Sequence, residues 1–94
     1  MAKIIWTDLA ENDLKEIEGY IVQDSVTYAF ITSEKIINRI FILTKFPRSG
    51  RMVPEFENPH IRELLEGNYR IVYFIRSGRE ITILRIHHAS RLLK

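Results

Sequence analysis

The feature that most constrains the fold is a run of short apolar segments between residues 60 and 91. Three segments rich in Val, Ile, Leu and Tyr are separated by two turn signals, Gly67-Asn68 and Ser77-Gly78. Because glycine supplies the positive φ that tight hairpin loops require, this stretch predicts a three-strand antiparallel meander. Arginines and histidines recur among the apolar residues. They are either edge and solvent groups, or they line a surface that binds an anion.

A short strand candidate, Lys3–Trp6, precedes the first predicted helix. Either Thr7 or Asp8 can cap this helix, and Glu11 stands three residues after Asp8, as in a capping box. Apolar residues then recur at spacings of four, three and four, which is the period of one helical face. We expect the helix to end near Gln23.

A second helix is predicted from a cap at Asp24 or Ser25 to about Lys45. Phe46-Pro47 stops it, because proline disfavours the helical conformation for the residue before it. Two apolar stripes run along this helix: Ala29, Ile36, Ile40 and Leu43 form one, and Phe30, Ile37 and Phe41 form the other. We favour a core position for both stripes. The alternative is that part of this surface docks another chain.

A loop of about a dozen residues, 47–59, contains the three prolines of the chain, and loops of this length are often functional. The order of strand, helix, helix and meander predicts an α+β fold. In this fold an N-terminal strand and a two-helix hairpin pack on an antiparallel sheet with a three-strand C-terminal meander. Residues 1–94 are expected to form a single domain, because 46% apolar residues suffice for one core.

Two-residue loops at both turns would fix which strand residues share a face of the sheet. One face is then expected to carry Leu64, Ile71, Tyr73, Ile75, Leu84 and Ile86, with Arg62 and His88. The other is expected to carry Ile61, Leu65, Val72, Phe74, Ile81 and Ile83, with Arg70, Arg85 and His87. One face should receive the helices, and the other should be partly covered by a terminus or a partner.

The composition excludes several classes of protein. The chain has no cysteine, which excludes disulfides and thiolate metal sites. The N-terminal segment meets acidic residues within ten positions and has no long apolar run, so we expect neither a signal peptide nor a membrane span. We therefore expect a cytoplasmic protein with no membrane partner.

The charge of the chain is distributed unevenly. Residues 1–47 carry five Lys/Arg against seven Asp/Glu, whereas residues 48–94 carry nine against five. Eight of those nine basic residues are arginines, whose planar fork of donors matches phosphate and carboxylate groups. A basic half of this kind favours an anionic partner.

Several short motifs occur in one order along nearly the whole chain. In the N-terminal half they are Trp6, Ala10, Asp13-Leu14, Tyr20-Ile21 and Asp24-Ser25. In the C-terminal half they are Phe46-Pro47, Gly50-Arg51, Val53-Pro54-Glu55, Ile61-Arg62-Glu63-Leu64, Asn68-Tyr69-Arg70-Ile71-Val72-Tyr73 and Ile83-Leu84-Arg85-Ile86-His87-His88, followed by Arg91. In this order they resemble the RelE/ParE superfamily of type II toxin–antitoxin toxins. The resemblance implies a growth inhibitor from a plasmid-stabilisation or addiction module, neutralised by a cognate antitoxin that wraps a partly disordered segment around it. Members similar to RelE and YoeB cut messenger RNA on the ribosome, whereas members similar to ParE poison DNA gyrase.

RNA cleavage of the RelE kind requires a base, cations at the crowded phosphate and an acid for the leaving oxygen. The resemblance implies that Arg70 binds the phosphate and that Glu55 acts as base if the long loop folds over the sheet. His87 or His88 would supply the group that titrates near neutral pH. Further phosphate-binding residues are expected at Arg62, Arg85 and Arg91. Neither a cofactor nor a metal ion is expected.

The chain also departs from the RelE pattern. It has Ile61-Arg62-Glu63 where RelE has lysines, and it has no tyrosine after Tyr73. A full RelE catalytic set is therefore absent, and only a YoeB-like subset of Glu, Arg and His could operate. We favour a metal-independent, ribosome-dependent mRNA endoribonuclease. The alternatives are a gyrase poison without nuclease activity and a binding module that merely shares the fold.

Overall fold

The computed structural model describes residues 1–90. A strand, β1 (Lys3–Trp6), leads into α1 (Asp8–Ile21), α2 (Val26–Phe41) and a short 3-10 helix (Ile42–Thr44). Four strands follow: β2 (Arg51–Met52), β3 (Ile61–Glu66), β4 (Tyr69–Ser77) and β5 (Glu80–His88). The predicted α+β architecture is confirmed. The strand β2, which lies inside the long loop, was not predicted. None of the helices in residues 1–90 combines the length and the apolar character needed to cross a membrane.

The five strands form one mixed sheet in the order β1-β5-β4-β3-β2. The strands β3, β4 and β5 make the predicted antiparallel meander, and β1 pairs with β5 in parallel. Gly67 adopts a φ of 56° in the first hairpin loop, a conformation that suits glycine because it has no Cβ. This hairpin places β4 at the centre of the sheet.

Side-chain caps start both long helices. The Thr7 hydroxyl accepts a hydrogen bond from Ala10 N at 3.0 Å and begins α1. The Ser25 hydroxyl accepts a hydrogen bond from Tyr28 N at 3.0 Å and begins α2. Each cap satisfies a backbone donor that a helix end otherwise leaves open. Because Thr7 is the cap, the capping box suggested for Asp8 and Glu11 is wrong.

Two irregularities in the β4–β5 ladder change which residues share a face. Val72 pairs with Arg85, but Tyr73 pairs with Ile83, so Leu84 is an extra residue on β5. Nearer the turn, the pairing skips Arg76 on β4. The extra residue Leu84 puts the β5 residues between the two bulges on the face opposite to the one that regular pairing predicts.

The expected faces are therefore wrong for the β5 residues between the bulges, whereas Tyr73 and Ile75 on β4 lie on the expected face with Leu64, Ile71 and Ile86. Ile81 and Ile83 are fully buried in the core beneath the helices, whereas Leu84 lies outside this core cluster and is half-buried. Arg70, Arg85 and His87 stay on the opposite face, as expected, because their pairing lies beyond the bulge at Leu84.

The main core lies between the helices and one face of the sheet. Ala10, Ile36, Ile40 and Leu43 contribute from the helical layer, and Leu64, Ile71, Tyr73, Ile75, Ile81, Ile83 and Ile86 contribute from the sheet. The first predicted stripe of α2 is thus confirmed as core. The second stripe is not part of it, because Phe30 and Phe41 are 65% and 63% exposed. The core interpretation of that stripe is wrong.

Candidate functional site

Arg70 lies on the face of the sheet that points away from the helices. The strand register sets it beside Leu65 on β3 and His87 on β5. The part of the long loop that lies between β2 and β3 folds over this face: Val53 is buried there, and Glu55 contacts Arg70. Glu55 was expected to take part in the site only if the long loop covers the sheet. The structure meets this condition.

The Arg70 guanidinium is enclosed by two carboxylates. Its Nε donates to Glu63 Oε1 at 2.7 Å, and its two terminal nitrogens donate to the two oxygens of Glu55 at 2.9 and 3.0 Å. This two-point contact with Glu55 is the geometry in which arginine binds carboxylate or phosphate most strongly. Hydrogen bonding to Glu55, and next to Glu63, raises the pKa of Arg70 although burial opposes the shift.

Glu63 connects Arg70 to a second arginine. Its side chain is 0% exposed and also accepts from Arg51 Nε at 2.6 Å, while the side chain of Arg51 is 63% exposed. We call Arg51, Glu55, Glu63 and Arg70 the Arg70 cluster. Its two buried members, Glu63 and Arg70, each keep an oppositely charged partner, as expected for charges removed from water. Sequence reasoning did not select Glu63 as a site residue.

The two histidines lie on opposite faces of the sheet. His87 is buried beside Arg70, whereas His88 is exposed on the side of the helices. The His88 ring meets Tyr69 edge-on at a centroid distance of 5.8 Å, and its Nδ1 lies 2.8 Å from the Ser90 hydroxyl. The structure thus joins Arg70 to Glu55, and the strand register sets His87 next to Arg70, whereas His88 projects from the other face.

Two of the three predicted phosphate-binding arginines, Arg62 and Arg85, are engaged within the protein. Arg62 donates to the carbonyl oxygens of Gly50 at 3.0 Å and Pro59 at 3.2 Å, and so it holds both ends of the loop. Arg85 donates to the two oxygens of Asp13 at 2.8 and 3.0 Å. The third predicted residue, Arg91, lies outside the described residues.

Asp13 also binds the outer edge of β5. Its Oδ2 accepts from Ile86 N at 2.9 Å, and the Thr7 hydroxyl lies 2.8 Å from Ile83 O and 3.0 Å from Leu84 O. The strand β1 pairs with β5 only as far as Ile83, so these side chains cover the edge where β1 ends. Burial alone would raise the pKa of Asp13, but hydrogen bonds from Arg85 and Ile86 outweigh burial and lower it.

The start of the long loop is fixed by Tyr73. Its hydroxyl accepts from Gly50 N at 3.0 Å and donates to Pro47 O at 2.8 Å. A Cβ at Gly50 would lie 2.6 Å from Glu63 O, which is closer than non-bonded atoms approach, so this crossing requires glycine. Within residues 1–90, no three His, Asp or Glu side chains are grouped to hold a metal ion.

Comparison with known proteins gives the chain a family. Residues 4–93 match the model of the "ParE toxin of type II toxin-antitoxin system, parDE". Among solved structures, a chain of the chromosomal ParDE toxin–antitoxin system from P. aeruginosa is similar, with a TM-score of 0.77 and 28% identity over 96% of this chain and 98% of that one.

A chain of the RelBE2 toxin–antitoxin complex from Mycobacterium tuberculosis is also similar, with a TM-score of 0.59 and 25% identity over 93% of this chain and 96% of that one. No curated protein sequence matches the chain. The family model covers nearly all of the sequence, and the fold agrees with both solved structures. The chain therefore belongs to the ParE toxin family of type II toxin–antitoxin systems.

Proposed function

We propose that this chain is a toxin that acts in the cytoplasm by binding DNA gyrase, without cutting RNA, and that a cognate antitoxin neutralises it. The observation that carries the proposal is the enclosure of Arg70. This arginine is 6% exposed, and its donors are directed at Glu55 and Glu63. The proposal departs from the nuclease that the sequence favoured.

A nuclease needs cationic donors that meet charge developing on the phosphate in the transition state. In the Arg70 cluster, Glu55 occupies the fork of Arg70 through which a phosphate would bind. Withdrawing Arg70 toward a substrate would also leave the buried Glu63 carboxylate with less compensation, which is costly in a low dielectric. The cluster is therefore better suited to hold the loop on the sheet than to bind RNA.

Proton transfer adds a second constraint. A general acid or base must come within about 3 Å of the atom it protonates or deprotonates. His88, which is exposed, lies on the far side of the sheet from Arg70. Only His87 is near Arg70, and it is buried beneath the same face.

The family match supports the gyrase alternative. The resemblance implied that ParE-like members of the superfamily poison gyrase. The family model that matches this chain is the ParE model. A binding toxin needs a complementary surface and no catalytic groups. The engaged arginines are compatible with such a role.

An exposed apolar surface supports the antitoxin as partner. Val26, Phe30, Ile37 and Phe41 on α2, which we call the α2 stripe, are 46–70% exposed. Beside the stripe, a groove of about 430 Å³ between the helices is lined in part by Trp6, Leu14 and Ile37. An apolar surface of this kind typically marks a protein-binding site. Both solved neighbours come from toxin–antitoxin systems.

The test is to add the purified chain to gyrase and to a translation extract. We expect inhibition of DNA supercoiling and, by primer extension, intact messages. The Glu55→Gln variant should inhibit supercoiling to the same extent as the unmodified chain, because Glu55 has no chemical role in this mechanism. Glu57→Gln, an exposed change in the same loop, is the matched control.

The opposite result, cut messages and active gyrase, would support the nuclease hypothesis. Cuts in translated messages that disappear with Glu55→Gln and persist with Glu57→Gln would assign Glu55 a catalytic role. Supercoiling would then continue unaffected.

A further inference from the structure

We propose that this chain binds the phosphate backbone of double-stranded DNA through the end of its sheet at which the β4–β5 turn lies. Five exposed cationic side chains gather there, and we call them the basic end: Lys3, Lys45, Arg48, Arg76 and Arg79. Contact with DNA would strengthen the binding of the toxin to gyrase that holds its DNA. This second step rests on the proposed function, whereas the binding of free DNA does not.

Backbone hydrogen bonds bring the basic end together from distant parts of the chain. Lys3 N donates to Arg79 O at 2.7 Å, which joins the start of β1 to the β4–β5 turn. Ala2 N donates to Thr44 O at 2.8 Å, so the next residue, Lys45, lies beside the same end. The basic end is therefore a property of the folded chain and not of one basic run in the sequence.

A groove adjoins two of these side chains. Its volume is about 190 Å³, and Arg48, His60 and Arg76 line it together with residues 77–78 of the β4–β5 turn. Arginine presents a planar fork of donors that matches a phosphate group. No carboxylate is found among the described residues that line the groove. A phosphate group placed there would meet two guanidinium groups and an imidazole without repulsion.

The cations of the basic end are available to a ligand, in contrast to Arg70. The Arg76 side chain is 73% exposed, and its contact with Glu80 is long, at 3.5 Å. An exposed ion pair of this kind contributes little, because water screens it. The other four cations make no ion pair with any residue between 1 and 90. A phosphate can therefore bind them without leaving a buried carboxylate unpaired.

The positive charge of the chain is concentrated at this end. Residues 1–3, 45–48 and 76–80 carry five Lys/Arg against one Asp/Glu, whereas all other residues carry nine against eleven. A local excess of one sign attracts ions of the opposite sign and speeds their association. The basic end therefore attracts a polyanion, although the formal net charge of the chain is only +2.

The arrangement of the basic end favours a ligand whose charges repeat. Lys3 of β1 pairs with Glu80 of β5, which pairs with Ser77 of β4. On the other side of β4, His60 O accepts from Ile75 N at 2.8 Å, just before β3 begins. Strands of a sheet lie about 4.8 Å apart, so the row from β1 to β3 is roughly 14 Å long. The phosphates of one DNA strand follow at about 3.4 Å along the helix axis, so the row faces about four of them.

This length decides between the carriers of phosphate. A single phosphate ion would fill the groove and leave the rest of the basic end unused, whereas a nucleic-acid backbone would contact the whole row. Among nucleic acids, DNA is favoured because the proposed target, gyrase, acts on DNA. The chain would then contact enzyme and DNA in the same complex.

Fluorescence anisotropy with a short labelled DNA duplex tests the site with the purified chain alone. We expect affinity to fall between about 50 and 200 mM salt, with a slope of log affinity against log salt of about −4, as for four or five phosphate contacts. In the double variant Arg48→Gln/Arg79→Gln the slope should change to about −2, because each lost contact removes roughly one unit. Its affinity at low salt should be lower by more than about ten-fold.

The double variant Lys15→Gln/Lys35→Gln is the matched control. It removes two charges at exposed residues of α1 and α2, so both double variants have the same net charge. The control should keep the slope of about −4. Equal weakening in both double variants would mean that total charge attracts the DNA, and this would overturn the proposal.

Two competitors separate DNA from other carriers of phosphate. Duplex RNA of the same length should bind no more tightly than the DNA. Inorganic phosphate, added at constant ionic strength, should displace no more DNA than chloride does. Tighter binding of RNA, or displacement of the DNA by inorganic phosphate, would contradict a site built for a DNA backbone.

A supercoiling assay tests the second step. Half-inhibition of gyrase should require a several-fold higher concentration of Arg48→Gln/Arg79→Gln than of the control variant. Equal inhibition by the two variants would overturn a part for DNA contact in the inhibition. If the unmodified chain binds DNA with the expected slope but leaves gyrase active, the proposed function fails and the DNA site stands.

Discussion

The two faces of the sheet are stabilised by different physical means. The face beneath the helices is filled by side chains such as Leu64, Ile71 and Ile83, which gain free energy in proportion to the apolar area they bury. The face beneath the long loop instead buries Glu63 and Arg70, and Glu55 reaches them from the loop. Burial of charge is favourable only when each charge keeps its partner.

This difference predicts two kinds of response to mutation. On the apolar face, the loss of stability should follow the volume removed, residue by residue. On the charged face, removing one residue of an ion pair should lower stability more than removing both residues. The loss of stability arises from the buried charge that is left without its partner.

The largest effect is expected from breaking the Arg70 cluster. Arg70→Met removes the buried guanidinium and leaves the fully buried Glu63 side chain with Arg51 only. We expect a loss of about 3–5 kcal/mol in the free energy of unfolding, measured by urea denaturation. The double variant Arg70→Met/Glu63→Gln should recover a large part of this loss.

Arg51→Ala is the matched control for that experiment. Arg51 binds the same carboxylate but is 63% exposed, so water screens the contact. Removing the Arg51 side chain should lower the free energy of unfolding by less than about 1 kcal/mol. Strictly additive effects in the double variant would show that the charged face behaves like the apolar one.

A smaller effect is expected from the apolar face. Ile83→Ala should lower the free energy of unfolding by about 2–4 kcal/mol, because the fully buried side chain leaves a cavity. Leu84→Ala, at the half-buried bulge residue, should cost less. Thermal or urea unfolding of both variants compares them. A larger loss at position 84 would mean that the ladder follows the regular register without the bulge.

The smallest effect is expected at the link between α1 and the edge of β5. The pKa of Asp13 is lower in the folded chain than its ordinary value, so the charged carboxylate stabilises the fold above that value and loses this contribution as the pH falls through the folded pKa. Asp13→Asn should lower the free energy of unfolding by about 1–2 kcal/mol at neutral pH.

This difference between the variant and the unmodified chain should shrink as the pH falls below the ordinary pKa of an aspartate, because the unfolded chain binds the proton first and folded Asp13 binds it only at its lowered pKa. Urea denaturation at several pH values measures it. A difference that stays constant down to pH 3 would mean that the charge of Asp13 contributes nothing.

The sequence predicted the local features well because each has a local cause. Thr7 and Ser25 cap helices through their own hydroxyls, and Gly67 forms the first hairpin turn through its own φ. The order of elements follows from such signals. The resemblance of the motifs to the RelE/ParE superfamily is likewise confirmed by the family match.

The bulges could not be predicted from the same signals. Both faces of β5 carry apolar residues near Ile83 and Leu84, so neither pairing is favoured by the alternation alone. For the same reason the sequence placed Ile81 and Ile83 on the wrong face, while Arg70 and His87, beyond the bulge at Leu84, were placed correctly.

The burial of Glu63 also escaped prediction. A glutamate on a strand is normally expected to face water, since carboxylates are rarely buried unless paired. The pairing depends on Arg51 and Arg70, which lie twelve residues before and seven residues after it in the chain. The Arg70 cluster is therefore a property of the assembled sheet and not of any one motif.

The contacts of Thr7 and Asp13 along β5 also bear on aggregation. A bare strand edge is a template on which further chains can add, and uncontrolled addition leads to fibrils. Here an incoming strand would have to displace a hydroxyl and a negatively charged group before it could bond to this part of β5. Acidic conditions that neutralise Asp13 would remove its negative charge from this edge and make the protein more prone to form fibrils.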